Sequence, residues 1–218
     1  FHGIIVSVEI HAPFSLKSTY VHDWFNLIDR TGSKYAGIHP DCGIFSKGPN
    51  LGRVEQALRL GAKKEIIDFL QQTYTQVYQQ RQREEKIVDL GHYQKVVCYG
   101  MADAFAKART MGATNLEISL FSRLTYDDPR WLIEYMPYIK HFHGKFYNMV
   151  PNGSGLYHDP AINLEDAMRA LKEGGYQYWI SSEYEGAGAY RDLECPIEPP
   201  DSRDLVEKQQ NLMASILR

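Results

Sequence analysis

The sequence predicts a parallel α/β fold and, within that class, a (β/α) barrel. Two patterns carry the expectation. Short β-branched runs alternate with amphipathic helical stretches, beginning with a strand at about 4–11, a helix from near Ser18 and a second strand at about 34–41. Strand–helix–strand in about 40 residues is a parallel βαβ unit. The second pattern is chemical. Four strand-like runs end in carboxylate or imidazole groups: Val8-Glu9-Ile10-His11, Gly37-Ile38-His39-Pro40-Asp41, His141-Phe142-His143-Gly144-Lys145 and Ile180-Ser181-Ser182-Glu183. Functional groups gather at strand C-termini in barrels and open sheets alike. Convergence of four such ends favours the barrel, because distant strands of an open sheet diverge.

Each element has a local reason. In the first helix Val21, Trp24, Phe25 and Ile28 recur at helical spacing, Ser18 suits the N-cap, and Thr31-Gly32-Ser33 stops it. Residues 42–52 form a glycine-bearing loop. From Arg53 to Met111 the pattern is helical, which predicts a helical insertion over about 53–111. Within it, Gln71–Lys86 is polar apart from a stripe of Tyr74, Val77 and Tyr78, read as facing the chain's own core in preference to a partner subunit. Asn115–Phe121 reads as a strand. Asp128-Pro129 opens a short helix, and a strand at about 139–147 follows. After a loop at 148–160, a helix starts at Asn163 and ends at Gly174-Gly175. The last strand covers 176–183, and an amphipathic helix carrying Leu205, Leu212 and Ile216 closes the chain.

That makes five strands where a complete barrel has eight. The chain also opens on Phe1-His2-Gly3 without an initiator Met. The expectation is therefore one barrel domain over 1–218, the C-terminal part of a longer chain, with N-terminal strands missing.

Composition narrows the function. With 218 residues, 44% hydrophobic and a formal net charge of −3, the chain can bury a substantial core and offers no basic face for nucleic acid. No apolar run is long enough to span a membrane. Cys42, Cys98 and Cys195 are odd in number and widely spaced, which argues against a disulfide framework and makes a reducing cytoplasm the default.

Alternate strand residues share a face. Ser7, Glu9 and His11 therefore point together, as do His39 with Asp41, His141 with His143 and Lys145, and Ser181 with Glu183. Glu9, Asp41, His143 and Glu183 are expected to hold one divalent metal. Three carboxylates crowded without a cation would force some to protonate. This hard, oxygen-rich set suits Mn²⁺ or Mg²⁺ better than structural Zn²⁺. His143 is preferred over His141 because it lies nearer the rim. His11, two residues beyond Glu9, is the expected general base. Lys145 either contacts a sugar oxygen or pairs with Glu183. His39 is read as support for the site, and Glu185 as a neighbour or a solvated group.

These residues carry a resemblance. A Glu in one strand, an Asp about 32 residues on, then a His and a final Glu resemble the metal set of the xylose isomerase-like TIM-barrel sugar isomerases and epimerases. The spacing departs from that pattern between Asp41 and His143, where about 100 residues replace a single βα unit. Pro40-Asp41-Cys42-Gly43-Ile44-Phe45, His143-Gly144-Lys145-Phe146-Tyr147 and Ser181-Ser182-Glu183-Tyr184-Glu185-Gly186, with Val8–His11, are most similar to the large (alpha) subunit of the C-glycoside deglycosidases. That resemblance implies Mn²⁺ at Glu9, Asp41, His143 and Glu183, with His11 as acid/base. It also implies a small beta subunit in a hetero-oligomer and a 3-oxo-C-glycoside substrate. The reaction it implies is a lyase step through a metal-stabilised enediolate. The alternatives are a sugar isomerase or epimerase, in which two bases exchange one proton, and a non-catalytic sugar-binding subunit whose metal is structural.

Overall fold

A computed structural model of the chain describes residues 3–81, 100–190 and 197–218. The expectations placed on residues 82–86 of the polar helix, on Gly91, on Cys98 and Cys195 and on Pro196 lie outside the described residues.

The first unit is β1 (Val6–Ile10), α1 (Thr19–Thr31) and β2 (Ala36–Pro40), with β1 and β2 parallel and Glu9 opposite His39. Gly32 ends α1 at φ 60°, its N–H reaching the Ile28 and Asp29 carbonyls. Val21, Phe25 and Ile28 are buried, and Trp24 Nε1 donates to the Gly37 carbonyl at 2.9 Å. Ser18 occupies the N-cap position, but its side chain makes no capping hydrogen bond. The helix is thus held by its apolar face more than by its start.

Helices α2 (Leu51–Arg59), α3 (Lys64–Arg81), α4 (Ala102–Thr110) and α5 (Asn115–Phe121) follow, then the short α6 (Trp131–Tyr135). Next come β3 (Phe142–Phe146), the hairpin β4 (Val150–Pro151) and β5 (Tyr157–His158), α7 (Leu164–Glu173), β6 (Ile180–Tyr184) and α8 (Ser202–Leu217). Strands β3 and β6 are parallel with Lys145 opposite Glu183. Parallel bridges Ile38–Ile139 and Asp41–His143 join β2 to β3. The parallel strands therefore stand side by side as β1–β2–β3–β6, in chain order. Among the described residues β6 does not pair back to β1. The outer flanks of the row carry the exposed Val6 (63%) and Trp179 (84%).

Residues 115–121 correct the sequence reading: the expected strand is helix α5. A short apolar run is ambiguous between strand and buried helix, and the deciding signal lies just before it. Thr114 and Glu117 form a capping box, in which Thr114 Oγ1 accepts from Leu116 N–H and Glu117 Oε2 accepts from Thr114 N–H at 2.8 Å. Glu117 Oε1 also accepts from Lys63 N–H at 2.8 Å, tying α5 to the start of α3. Burial raises the Glu117 pKa, but these bonds outweigh it and hold the carboxyl at about 2 against an ordinary 4.5. Its contribution to stability is therefore present above about pH 4.5 and lost as pH falls towards 2. Replacement of Glu117 by Ala is expected to cost about 1–3 kcal/mol at pH 7. The difference should shrink at pH 3, as read by urea denaturation at the two values.

Two cores result. One lies around the strands with α1 and α6–α8, and the second fills α2–α5 around Tyr74, Phe121 and Tyr126. Tyr74 is fully buried and its hydroxyl donates to the Ser46 carbonyl at 2.8 Å, with Val77 and Tyr78 packed on the same cluster. The stripe on α3 thus faces the chain's own core. Helix α2 docks on the turn Gly186–Tyr190 that follows β6. A Cβ at Gly52 would come within 2.9 Å of Ala189 Cβ, and Arg59 donates to the Ala189 carbonyl. The helical insertion is thereby held beside the C-terminal ends of the strands.

Candidate metal centre and its cavity

The four expected ligands meet. One donor atom each from Glu9, Asp41, His143 and Glu183 lies within 4.8 Å of the others. The register produces this. Glu9 sits near the end of β1, Asp41 just past β2 and bridged to His143 of β3, and Glu183 on β6 beside β3. His143 Nδ1 is 2.9 Å from Glu9 Oε1 and 3.1 Å from Glu183 Oε2. A single ring nitrogen cannot donate to both carboxylates, whereas a cation among these atoms could be held by all of them.

The donor set fits a divalent ion by a further observation. Asp41 Oδ2 and Glu183 Oε2 are shut off from water, and neither accepts a well-aligned hydrogen bond. Asp41 is wholly buried; its Oδ1 accepts from Gly43 N–H at 2.6 Å. Burial, then the adjoining Glu183 carboxyl, push Asp41 up to about 7 although Lys145 opposes the rise. Burial also pushes Glu183 upwards, but its hydrogen bond with Asp41 and the Lys145 charge prevail and leave its pKa lowered. The two carboxyls behave as one proton-sharing pair.

Lys145 Nζ stands 3.0 Å from Asp41 Oδ2 and 3.1 Å from Glu185 Oε2, and 3.8 Å from Glu183. Burial works against its charge, but Asp41 and Glu185 raise its pKa well above the ordinary lysine value. Its ammonium form is thus favoured, with Asp41 and Glu185 as its principal partners. His141 sits lower on β3's flank, its Nε2 2.8 Å from Ser181 Oγ. His39 contacts Ser7 Oγ at 2.9 Å, and its ring centre lies 4.7 Å from that of His143 with the planes tilted by 52°; its pKa is lowered by burial and then by His143. Glu9, His39 and His143 also form a smaller group of possible ligands.

His11 lies one residue past β1. Its Nδ1 is 2.7 Å from the Ala12 carbonyl. A carbonyl only accepts, so Nδ1 carries the proton and Nε2 keeps its lone pair in the neutral ring. His11, Lys145 and Glu185 line one cavity of about 540 Å³, whose far wall belongs to α2, α5 and the residues after α5.

Supporting residues were not legible from local sequence. Asp159 is buried, accepting from the N–H groups of Tyr147, Asn148 and Ala161, and so fixes the turn after β3. Burial raises its pKa while those N–H groups oppose the shift. From α8, Gln209 donates to the Gly144 carbonyl at 2.5 Å; a Cβ at Gly144 would come within 2.9 Å of Gln209. Glycine between His143 and Lys145 therefore leaves room for Gln209 and Met213 of the helix behind the strand.

No family model matches the chain. It is 27% identical over 192 residues to the C-glycoside deglycosidase alpha subunit of Microbacterium trichothecenolyticum, covering 85% of this chain and 48% of that protein. Over 207 residues it is 28% identical to a C-glycoside deglycosidase alpha subunit of Arthrobacter globiformis, covering 94% and 52%. A 3'-dehydrocarminate deglycosidase alpha subunit from a Microbacterium species is 25% identical over 195 residues, covering 84% and 50%. The chain spans about half the length of these curated relatives.

Proposed function

We propose that this chain is the metal-binding, sugar-acting part of a C-glycoside deglycosidase alpha subunit, a carbon–carbon lyase working on 3-oxo-C-glycosides. The observation that carries the reading is the meeting of Glu9, Asp41, His143 and Glu183 at the ends of four neighbouring parallel strands, beside a cavity lined by His11 and Lys145. A row of four parallel strands in chain order, with exposed residues at both edge strands, is consistent with part of a xylose isomerase-like (β/α) barrel, in which consecutive parallel strands are neighbours. The alpha-subunit names of the relatives support a small beta subunit as partner in a hetero-oligomer.

Mn²⁺ or Mg²⁺ held by Glu9, Asp41, His143 and Glu183 would supply Lewis acidity to the oxygens of the bound sugar. The residues of the chain do the rest. A carbonyl at sugar C3 acidifies the C2 hydrogen, and His11 Nε2 accepts that proton. The electron pair left at C2 becomes the C1–C2 double bond as the C1–aryl bond breaks. That bond's electrons leave with the aglycone ring, which takes up one proton. Lys145 stabilises negative charge on sugar oxygen and does not itself accept a proton, because Asp41 and Glu185 hold it as an ammonium ion. A two-base isomerase would need a second free base opposite His11, and Lys145 is unsuited to that role.

The test is direct. The full-length protein with its partner should release aglycone from a 3-oxo-C-glycoside and leave free ketoses without deuterium uptake from solvent. Ketose turnover with deuterium uptake, without a partner chain, would instead select the isomerase reading.

Proton linkage gives a second expected result. At pH 6 Asp41, at about 7, retains most of its proton in the metal-free protein. The metal takes the carboxylate, so binding at pH 6 should release close to one proton from the Asp41–Glu183 pair, and much less at pH 8. Affinity should rise with pH up to about 7 and then level off. Calorimetry in buffers of different ionisation enthalpy reads both.

A further inference from the structure

The cavity adjoins the metal-ligating group without being lined by it, meeting it through Lys145 and Gly43, which touch Asp41. Its inner end is bounded by His11, Gly43, Lys145, Tyr147 and Glu185, and its outer end by Arg53, Leu60, Leu116, Leu120, Arg123 and Leu124. At about 540 Å³ it has the size of pockets that take ligands larger than one sugar ring.

The outer end has its own chemistry. Leucines from α2, α5 and their flanking residues supply an apolar wall, and two guanidinium groups stand among them. The Arg53 guanidinium lies beside the turn that follows β6. Its Nη1 donates to Gln56 Oε1 at 2.8 Å, and a Cβ at Gly188 would come within 2.5 Å of its Nη2. Gly188 lies in the turn that continues from β6, the strand carrying Glu183. Lys145 is already matched by Asp41 and Glu185. Among the described residues, by contrast, neither Arg53 nor Arg123 forms an ion pair with a carboxylate. The unmatched positive charge of the cavity therefore lies at its outer, leucine-lined end.

We propose that this outer end is a subsite for a flat aryl group bearing a carboxylate or similar planar oxyanion. The leucines cover the ring, and Arg53 and Arg123 hold the anion. Burying a ring against leucine surface supplies affinity, and the forked donors of arginine match a planar oxyanion. Equating that aryl group with the leaving aglycone rests on the lyase reading above, whereas the subsite itself does not.

Paired probes of equal size separate the two. For the full-length protein with its partner, calorimetry should find 2-naphthoate bound about tenfold more tightly than 2-naphthamide. Arg53→Gln and Arg123→Gln should each reduce that preference to about twofold or less; both side chains are exposed, so a thermal melt should be unchanged. Gly188→Ala should weaken the preference without removing a charge, by displacing the Arg53 guanidinium. Equal affinity for the two probes would overturn the proposal. So would a preference that survives both arginine substitutions, which would place the carboxylate on the metal. A naphthoate preference without turnover of a 3-oxo-C-glycoside would keep the subsite and remove the lyase reading. Turnover without the preference would do the reverse.

Discussion

Replacement of Glu9 by Gln, or of His143 by Ala, should leave the protein folded and strip it of divalent metal. Neither side chain is fully buried: Glu9 is 37% and His143 25% exposed. Losing either removes one of four donors and also frees the remaining carboxylates to protonate. With Glu9 neutral, His143 loses its partner at 2.9 Å and keeps Glu183 at 3.1 Å. With His143 gone, Glu9 and Glu183 face each other with no group between them. Even orienting groups around a metal typically change affinity by about 10–100-fold, so loss of a direct ligand should exceed about 100-fold. Elemental analysis of the wild type should find close to one Mn²⁺ or Mg²⁺ per chain and a small fraction of that in each variant. Full metal occupancy in both would remove these residues from the site. Asp41 is the less informative target, because it also caps the turn through Gly43 and pairs with Lys145, so its loss confounds folding with binding.

The second large effect separates chemistry from coordination. His11→Ala should retain metal and fold while losing about 10²–10⁴ in kcat, the usual worth of a positioned general base. The ring is exposed and its hydrogen bond is to its neighbour Ala12, so nothing in the core depends on it. The step it serves has its own readout: with a 3-oxo-C-glycoside, wild-type protein should exchange the C2 hydrogen of the unreacted glycoside with solvent deuterium, and the variant should not. Metal loss in this variant would make His11 a ligand. Unchanged exchange would take the base role away from it.

How much of this was written locally in the chain differs from residue to residue. Glu9, Asp41, His143 and Glu183 were legible because strand alternation and strand termination are short-range properties. His143 was separable from His141 for the same reason, its position two residues nearer the rim. Helix α5 was misread because apolar spacing over seven residues does not distinguish helix from strand. The Thr114–Glu117 capping box was present in the sequence and would have decided it. Lys145 was recognised, but its dominant partners are Asp41 and Glu185, and that choice depends on how β3 sits beside the turn after β2.

The sequence by itself determined the alternation of strands and helices, the rim placement of the four metal-ligating candidates and the helical character of the long segment between Asp41 and His143. Only the tertiary structure decided where that segment goes. Its helices supply one wall of the cavity that adjoins the strand ends and bring Arg53 beside Gly188. The reason is physical. A period of two or of 3.6 can be read from neighbours in sequence, whereas docking of α2 on the turn 186–190 depends on close approaches such as Gly52 to Ala189, between residues more than a hundred positions apart.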